Sequence, residues 1–170
     1  MNDDEDFVDY VTGRLPVLRR VAAQLAGDPH RGDDLVQQAI TRLYTRWRRV
    51  ARTENLDAYV YKILLRVFLD ERRLRWASVR LGVDHGEVDM AAAAPDIEQR
   101  MLLRDALATL PARQRAVLVL RFIADRSVEE AAEILGISTG TVKSQTHDGL
   151  NALRRLLGQP AAAGNEGRTP

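Results

Sequence analysis

Apolar residues recur along this chain every three or four positions, and nowhere do apolar and polar residues alternate long enough to mark a strand, so an all-α protein is expected. A first helix should cover Phe7 to Leu25, with Leu15, Leu18, Val21, Ala22 and Leu25 as its apolar stripe and Gly27-Asp28-Pro29 as its stop. The pattern resumes at Asp34, whose carboxylate could cap a second helix with Gln37 three residues on; Val36, Ile40, Leu43 and Trp47 follow at helical spacing. A third helix should start near Asn55 and run past Arg73, carrying Leu56, Tyr59, Val60, Ile63, Leu64 and Val67.

From Ala77 to Pro95 the periodicity fails. Gly82, Gly86, the alanine run 91–94 and Pro95 argue for a linker. Shorter helical segments follow at Ile97–Leu110, Pro111–Ile123, Val128–Leu135 and Thr139–Leu157, ended by Gly158. The expected organisation is therefore two small helical domains, residues 7–76 and 97–157, joined by a flexible acidic linker at 77–96. An Ala/Gly/Pro tail at 158–170 should be disordered.

Charge sharpens this division. Although the net charge is +1, residues 1–13 hold five acids and no base, residues 41–80 hold eleven bases against four acids, residues 81–99 hold five acids and no base, and residues 100–126 hold six bases against two acids. Basic blocks that could meet phosphate thus alternate with acidic ones that should avoid it. The chain has no cysteine and only three scattered histidines, His30, His85 and His147, so neither a disulfide framework nor a metal site is expected. No cofactor is implied. The acidic N-terminus lacks the form of a signal peptide and no apolar run approaches membrane-spanning length, so a cytoplasmic protein without membrane insertion is expected.

The most specific motif is Ser127-Val-Glu-Glu-Ala-Ala-Glu-Ile-Leu-Gly-Ile-Ser-Thr-Gly-Thr-Val-Lys143. Ser127 with Glu130 forms a capping box, small Ala131 and Ala132 permit a close helix crossing, Gly136 can take the left-handed position after a helix, and Ser138 can cap the next one. This is a helix-turn-helix signature, whose second helix enters the DNA major groove. Thr139, Thr141, Lys143, Ser144, Gln145, His147 and Asp148 are its candidate DNA-facing residues, with Val142, Leu150 and Leu153 turned inward. On the third helix, Lys62, Arg66 and Arg73 share a face opposite the apolar stripe and could hold phosphates. Tyr59, Tyr61, Phe68 and Trp76 are nearby aromatics that could stack on an extruded base. Core packing is the competing role for Tyr59 and Phe68; Trp76, beside Arg72, Arg73 and Arg75, is the one best placed for stacking.

Leu110-Pro-Ala-Arg-Gln-Arg-Ala-Val-Leu-Val-Leu-Arg-Phe122, followed by that motif, resembles sigma region 4. The stretch from Asp33 to Trp47, followed by Ala58-Tyr-Val-Tyr-Lys62 and Asp70-Glu-Arg-Arg73, resembles sigma region 2. The order and the short linker are similar to those of extracytoplasmic-function sigma factors of the sigma-70 family. The resemblance implies a protein that binds RNA polymerase core and promoter DNA, with an anti-sigma factor as a further partner. It places Asp33, Asp34, Leu35 and Gln37 in the helix that grips the polymerase clamp. It also sets Lys62, Arg66, Phe68, Arg72, Arg73 and Trp76 at the minus-ten element and the second helix of the motif at the minus-thirty-five element. Two features depart from the family: Arg66 stands where many relatives carry asparagine, and Gln145 and Asp148 stand where relatives usually carry arginine. The alternatives are a stand-alone helix-turn-helix regulator, which leaves the Asp34–Trp76 pattern unexplained, and an anti-sigma decoy that kept the fold. No phosphate loop or nucleophile–base grouping suggests an enzyme, so no catalytic residue is proposed.

Overall fold

The computed structural model describes residues 2–80 and 95–158. α1 (Asp3–Ala26) opens with four acids, Asp3 to Asp6, in its first turn. There carboxylates meet the positive end of the helix dipole, and Glu5 accepts from the Asn2 N–H at 3.4 Å. α1 ends at Gly27 with φ 78°, a left-handed turn that glycine makes without a Cβ clash. The next helix starts at once. Asp28, not Asp34, caps α2 (Pro29–Tyr44), accepting from the His30 N–H at 2.8 Å, while Pro29 supplies a preset φ in the first turn. Asp34 is left exposed within the helix.

Trp47 does not extend α2 either. It begins the short α3 (Trp47–Val50) and lies edge-on to Phe7, with ring centroids 5.2 Å apart. Asn55 Oδ1 accepts from the Ala58 N–H at 3.0 Å at the start of α4 (Leu56–Arg80), which runs on through residues 77–80, where the sequence pattern places the linker. The crossing of α1 and α2 is close at Gly32: a Cβ there would sit 2.7 Å from Ala23 N and 2.8 Å from Ala23 Cα. Leu18, Val21 and Leu25 of α1, Leu35, Ala39 and Leu43 of α2, and Val60, Leu64 and Val67 of α4 form this half's core.

The second half comprises α5 (Pro95–Thr109), α6 (Ala112–Leu118), a π turn at Val119–Ile123, α7 (Val128–Leu135) and α8 (Thr139–Leu156). α8 packs on α6 and α7 through fully or nearly fully buried Val117, Leu118, Ala131, Ile134 and Val142. The two halves also touch. α1 packs on α5 and on the π turn, α4 packs on α6 and α7, and the buried apolar residues form one continuous cluster through both halves. Among the described residues no helix is long and apolar enough to cross a membrane. Most of the acidic stretch read as a linker, and the tail beyond residue 158, lie outside the described residues.

Candidate nucleic-acid interface

The helix-turn-helix has the caps its sequence calls for. Ser127 Oγ accepts from the Glu130 N–H at 3.1 Å, and Glu130 Oε2 accepts from the Ser127 N–H at 2.8 Å, so two otherwise unpaired donors of α7 are satisfied reciprocally. Gly136, at φ 65° and ψ 36°, closes α7, and the Ile137 N–H returns to Ala132 O at 3.1 Å. Ser138 Oγ then accepts from the Thr141 N–H at 3.0 Å, opening α8. Wholly buried Ala131 and Val142 sit at the crossing of the two helices.

α8 sorts its candidates by their surroundings. Thr139, Lys143, Ser144, His147 and Asp148 are exposed, while Val142, Gly149 and Leu153 are buried. Lys143 and Ser144 lie one turn before His147 and Asp148, so the four form one open face. Two candidates are less free: Thr141 is half-buried with its hydroxyl 2.8 Å from Ser138 Oγ, and half-buried Gln145 turns its side-chain carbonyl oxygen into the fold. Before Arg154, Lys143 is the sole base on α8, and Asp148 offsets it.

On α4, Lys62, Arg66 and Arg73 are exposed and, with half-buried Arg72 and exposed Trp76, line an open cleft of about 1000 Å³. Among the described residues Asp70 is the only acid in its lining, and Trp76 is 66% exposed. The other aromatics are differently placed. Phe68 is 2% exposed and Tyr61 4%, so neither offers a face to a base in this arrangement, and Phe68 drops out of the minus-ten set as a core residue. Tyr59 is half-buried, its hydroxyl 3.4 Å from an Arg46 nitrogen. Helical spacing explains Phe68: it follows Leu64 by four residues and joins the same inward stripe.

On α2, Asp33, Asp34 and Gln37 are exposed, but Leu35 is wholly buried in the core and leaves the polymerase-facing set. Asp33 is held by Arg19 of α1 through two hydrogen bonds of 2.9 and 3.1 Å; this bonding keeps its carboxyl below the usual range. Beside it lies a shallow groove of about 300 Å³ between α1 and α2, lined by Leu15, Val36, Ile40 and Thr41 as well as Arg19, Asp33 and Gln37. The apolar floor of this groove is absent from the sequence reading, in which Leu15 and Ile40 count only as core. A second omission is Arg115, which is 1% exposed; no sequence motif marks it, because its partners are backbone carbonyls, one of them 90 residues away.

Comparison with known proteins agrees with this geometry. The family model described as Sigma-70 region 2 matches residues 11–78, and that described as Sigma-70, region 4 matches residues 106–155. The RNA polymerase sigma-E factor of Streptomyces avermitilis is 39% identical over 156 residues, covering 89% of this chain and 85% of its own. The ECF RNA polymerase sigma factor SigL of Mycobacterium tuberculosis is 32% identical over 146 residues, covering 83% of this chain and 82% of its own. Among solved structures, the sigma factor RpoE of Bartonella quintana, in complex with the anti-sigma factor NepR, matches with a TM-score of 0.78 and 29% identity over 91% of this chain and 98% of that one. The paired regions, the capped helix-turn-helix and these near full-length relatives place the chain in the extracytoplasmic-function group of the sigma-70 family: it is a sigma factor that directs transcription initiation, by binding and not by catalysis.

Proposed function

We propose that the two halves divide promoter recognition between them. Residues 7–76 hold polymerase core through the exposed edge of α2, Asp33, Asp34 and Gln37, with the α1–α2 groove receiving an apolar side chain of the clamp. The same half meets the minus-ten element through α4. There Lys62, Arg66, Arg72 and Arg73 hold phosphates, and Trp76 stacks on an unpaired base. Residues 97–157 carry α8 into the major groove of the minus-thirty-five element, where Thr139, Lys143, Ser144, His147 and Asp148 contact DNA and Thr141 and Gln145 support the helix. The protein acts in the cytoplasm, where its polymerase is, and an anti-sigma factor restrains it, as NepR does in name for the Bartonella relative.

The observation that carries this reading is the convergence of Lys62, Arg66, Arg73 and exposed Trp76 on one cleft with a single acid in its lining. Run-off transcription with purified core polymerase tests it. Replacing Lys62, Arg66 and Arg73 together by alanine should abolish promoter opening while core binding persists. Equal loss of both activities would mean that this face is structural or polymerase-facing.

A further inference from the structure

A separate cavity lies where α1, the N-terminal part of α4 and the end of the π turn meet, and it shares no lining residue with the α4 cleft. It encloses about 210 Å³. Arg14 and Arg20 of α1, Tyr61 of α4 and Arg126 just beyond the π turn line it, beside apolar Val17, Val60 and Ile123. Asp57 and Asp125 are the acids in its lining among the described residues. Asp57 is already committed: Oδ1 accepts from the Tyr10 hydroxyl at 2.7 Å, and Oδ2 pairs with Arg14 Nη2 at 2.7 Å. Asp125 is exposed.

Against these acids stand three guanidiniums with donors to spare. Arg14 gives one nitrogen to Asp57. Arg126 donates from Nε to Ala124 O at 3.0 Å, while its Nη1 is 3.7 Å from Glu130 Oε1, beyond hydrogen-bond range. Arg20 is exposed and has no carboxylate partner among the described residues. The fourth group is Tyr61. It is 4% exposed, and among the described residues its hydroxyl has no hydrogen-bond partner, whereas a buried tyrosine O–H usually finds one. Burial raises the Tyr61 pKa above its usual value, with nearby Arg126 working against the rise, so at neutral pH the phenol is a donor. The Arg126 guanidinium lies 5.4 Å from the centroid of the same ring. Apart from exposed Asp125, the groups left over around the cavity are donors, the lining that an oxyanion requires. They come from three directions. A tetrahedral phosphate offers an acceptor to each of them, which a planar carboxylate does not.

We propose that this cavity binds a small phosphate-bearing solute, its oxyanion held by Arg20, Arg126 and the Tyr61 hydroxyl with Arg14 alongside, and its body against Val17, Val60 and Ile123. The volume suits a solute smaller than the occupants of the roughly 300–1,000 Å³ sites that take drug-sized ligands. Calorimetric titration of the full chain with inorganic phosphate, at constant ionic strength in chloride, tests the site. Saturable binding is expected, and its absence would overturn the proposal. Binding should weaken about tenfold in Arg20→Gln and in Tyr61→Phe, each of which removes one hydrogen bond to a charged group. Arg52→Gln removes an equal charge from an exposed residue that lines neither the cavity nor the α4 cleft, and should bind as the unaltered chain does. Equal affinity in all three variants would mean that phosphate meets only a general arginine-rich surface. Dimethyl phosphate, a singly charged diester like the DNA backbone, should bind more weakly than inorganic phosphate; equal binding would mean that the cavity takes nucleic-acid backbone instead of a small solute. Thermal melting gives a second readout. Phosphate stabilises proteins generally through exclusion from their surface, so the rise in melting temperature should be larger for the unaltered chain than for Tyr61→Phe. In chloride alone Tyr61→Phe should melt no lower than the unaltered chain, because its hydroxyl has no partner to lose. A lower melting temperature there would show the hydroxyl already bonded within the fold, and the site would fall.

Discussion

Two glycines in the first two helices should respond in opposite directions to the same substitution. Gly13 lies exposed in α1 with nothing within 4 Å of where a Cβ would stand, whereas a Cβ at Gly32 of α2 would meet Ala23 N at 2.7 Å, Ala23 Cα at 2.8 Å and Ala22 C at 3.0 Å. At Gly13 only the backbone term operates: alanine restricts the unfolded chain and favours the helix, worth roughly 0.5–1 kcal/mol. At Gly32 the same gain is present but smaller than the steric cost. The colliding atoms are backbone, which no rotamer change can move, so α1 and α2 must part by several tenths of an ångström along their shared core. Overpacking of that kind costs about 1–3 kcal/mol or more, which leaves Gly32→Ala destabilised by about 1–2 kcal/mol after the helix gain. With a urea dependence of about 1–3 kcal/mol per molar, the midpoint followed by circular dichroism should fall by ~0.5–1 M. Gly13→Ala should raise it slightly. An unchanged or higher midpoint for Gly32→Ala would show that the helices can separate at little cost and that the close crossing is not a constraint on the fold.

Other substitutions test the interface itself. Ser127→Ala removes one half of the reciprocal cap on α7 and should lower stability by about 1 kcal/mol, measured by thermal melting of the full chain; Glu130→Ala should do nearly the same if the box acts as a unit. Trp76→Ala should weaken promoter opening by about 1–3 kcal/mol, the worth of one stacked base, in a permanganate footprint, with core binding unchanged. For Asp148, which is exposed beside Lys143, Ser144 and His147, exchange to arginine should raise affinity for many DNA sequences alike and steepen the salt dependence by about one to two units. Selective loss on the cognate element, by roughly 1–3 kcal/mol, would instead mean that the carboxylate accepts from cytosine.

The local signals were readable in the sequence wherever a cap or a glycine had one role. Ser127 with Glu130, Gly136 and Ser138 mark the helix-turn-helix residue by residue, because each serves a hydrogen bond or a backbone angle within four residues of itself. Gly27-Asp28-Pro29 was harder, since a helix stop and a helix start overlap. The glycine ends α1, Asp28 caps α2, and Pro29 opens it, so the acid at position 34 was free to look like a cap. Leu35 takes an outward role from its place in a family motif, and Phe68 is a stacking candidate with core packing as its competing role, yet each lies four residues from another buried apolar residue, Ala39 and Leu64 respectively. Periodicity was the better guide at both positions. What no local pattern could reveal is the docking of the halves, for Arg115 finds Leu25 O across 90 residues of chain.

The chemistry of that docking also bears on its strength. A buried guanidinium is usually paired with a carboxylate, but Arg115 has three carbonyl oxygens and an aromatic face around it instead. Burial, with a smaller contribution from nearby Arg72, pulls its pKa down to about 10, so the folded protein holds the charged form less well than water would. A base whose folded pKa is depressed opposes folding at neutral pH, and that opposition fades only as the pH rises above about 10. Hydrogen bonds and apolar burial therefore hold the halves together against a desolvation term that pushes them apart. Arg115→Met would keep much of the volume and remove the buried charge, but it would also strip three carbonyls of their donor. An arginine hydrogen-bonded only to backbone carbonyls thus ties the halves while carrying a buried charge that no carboxylate offsets.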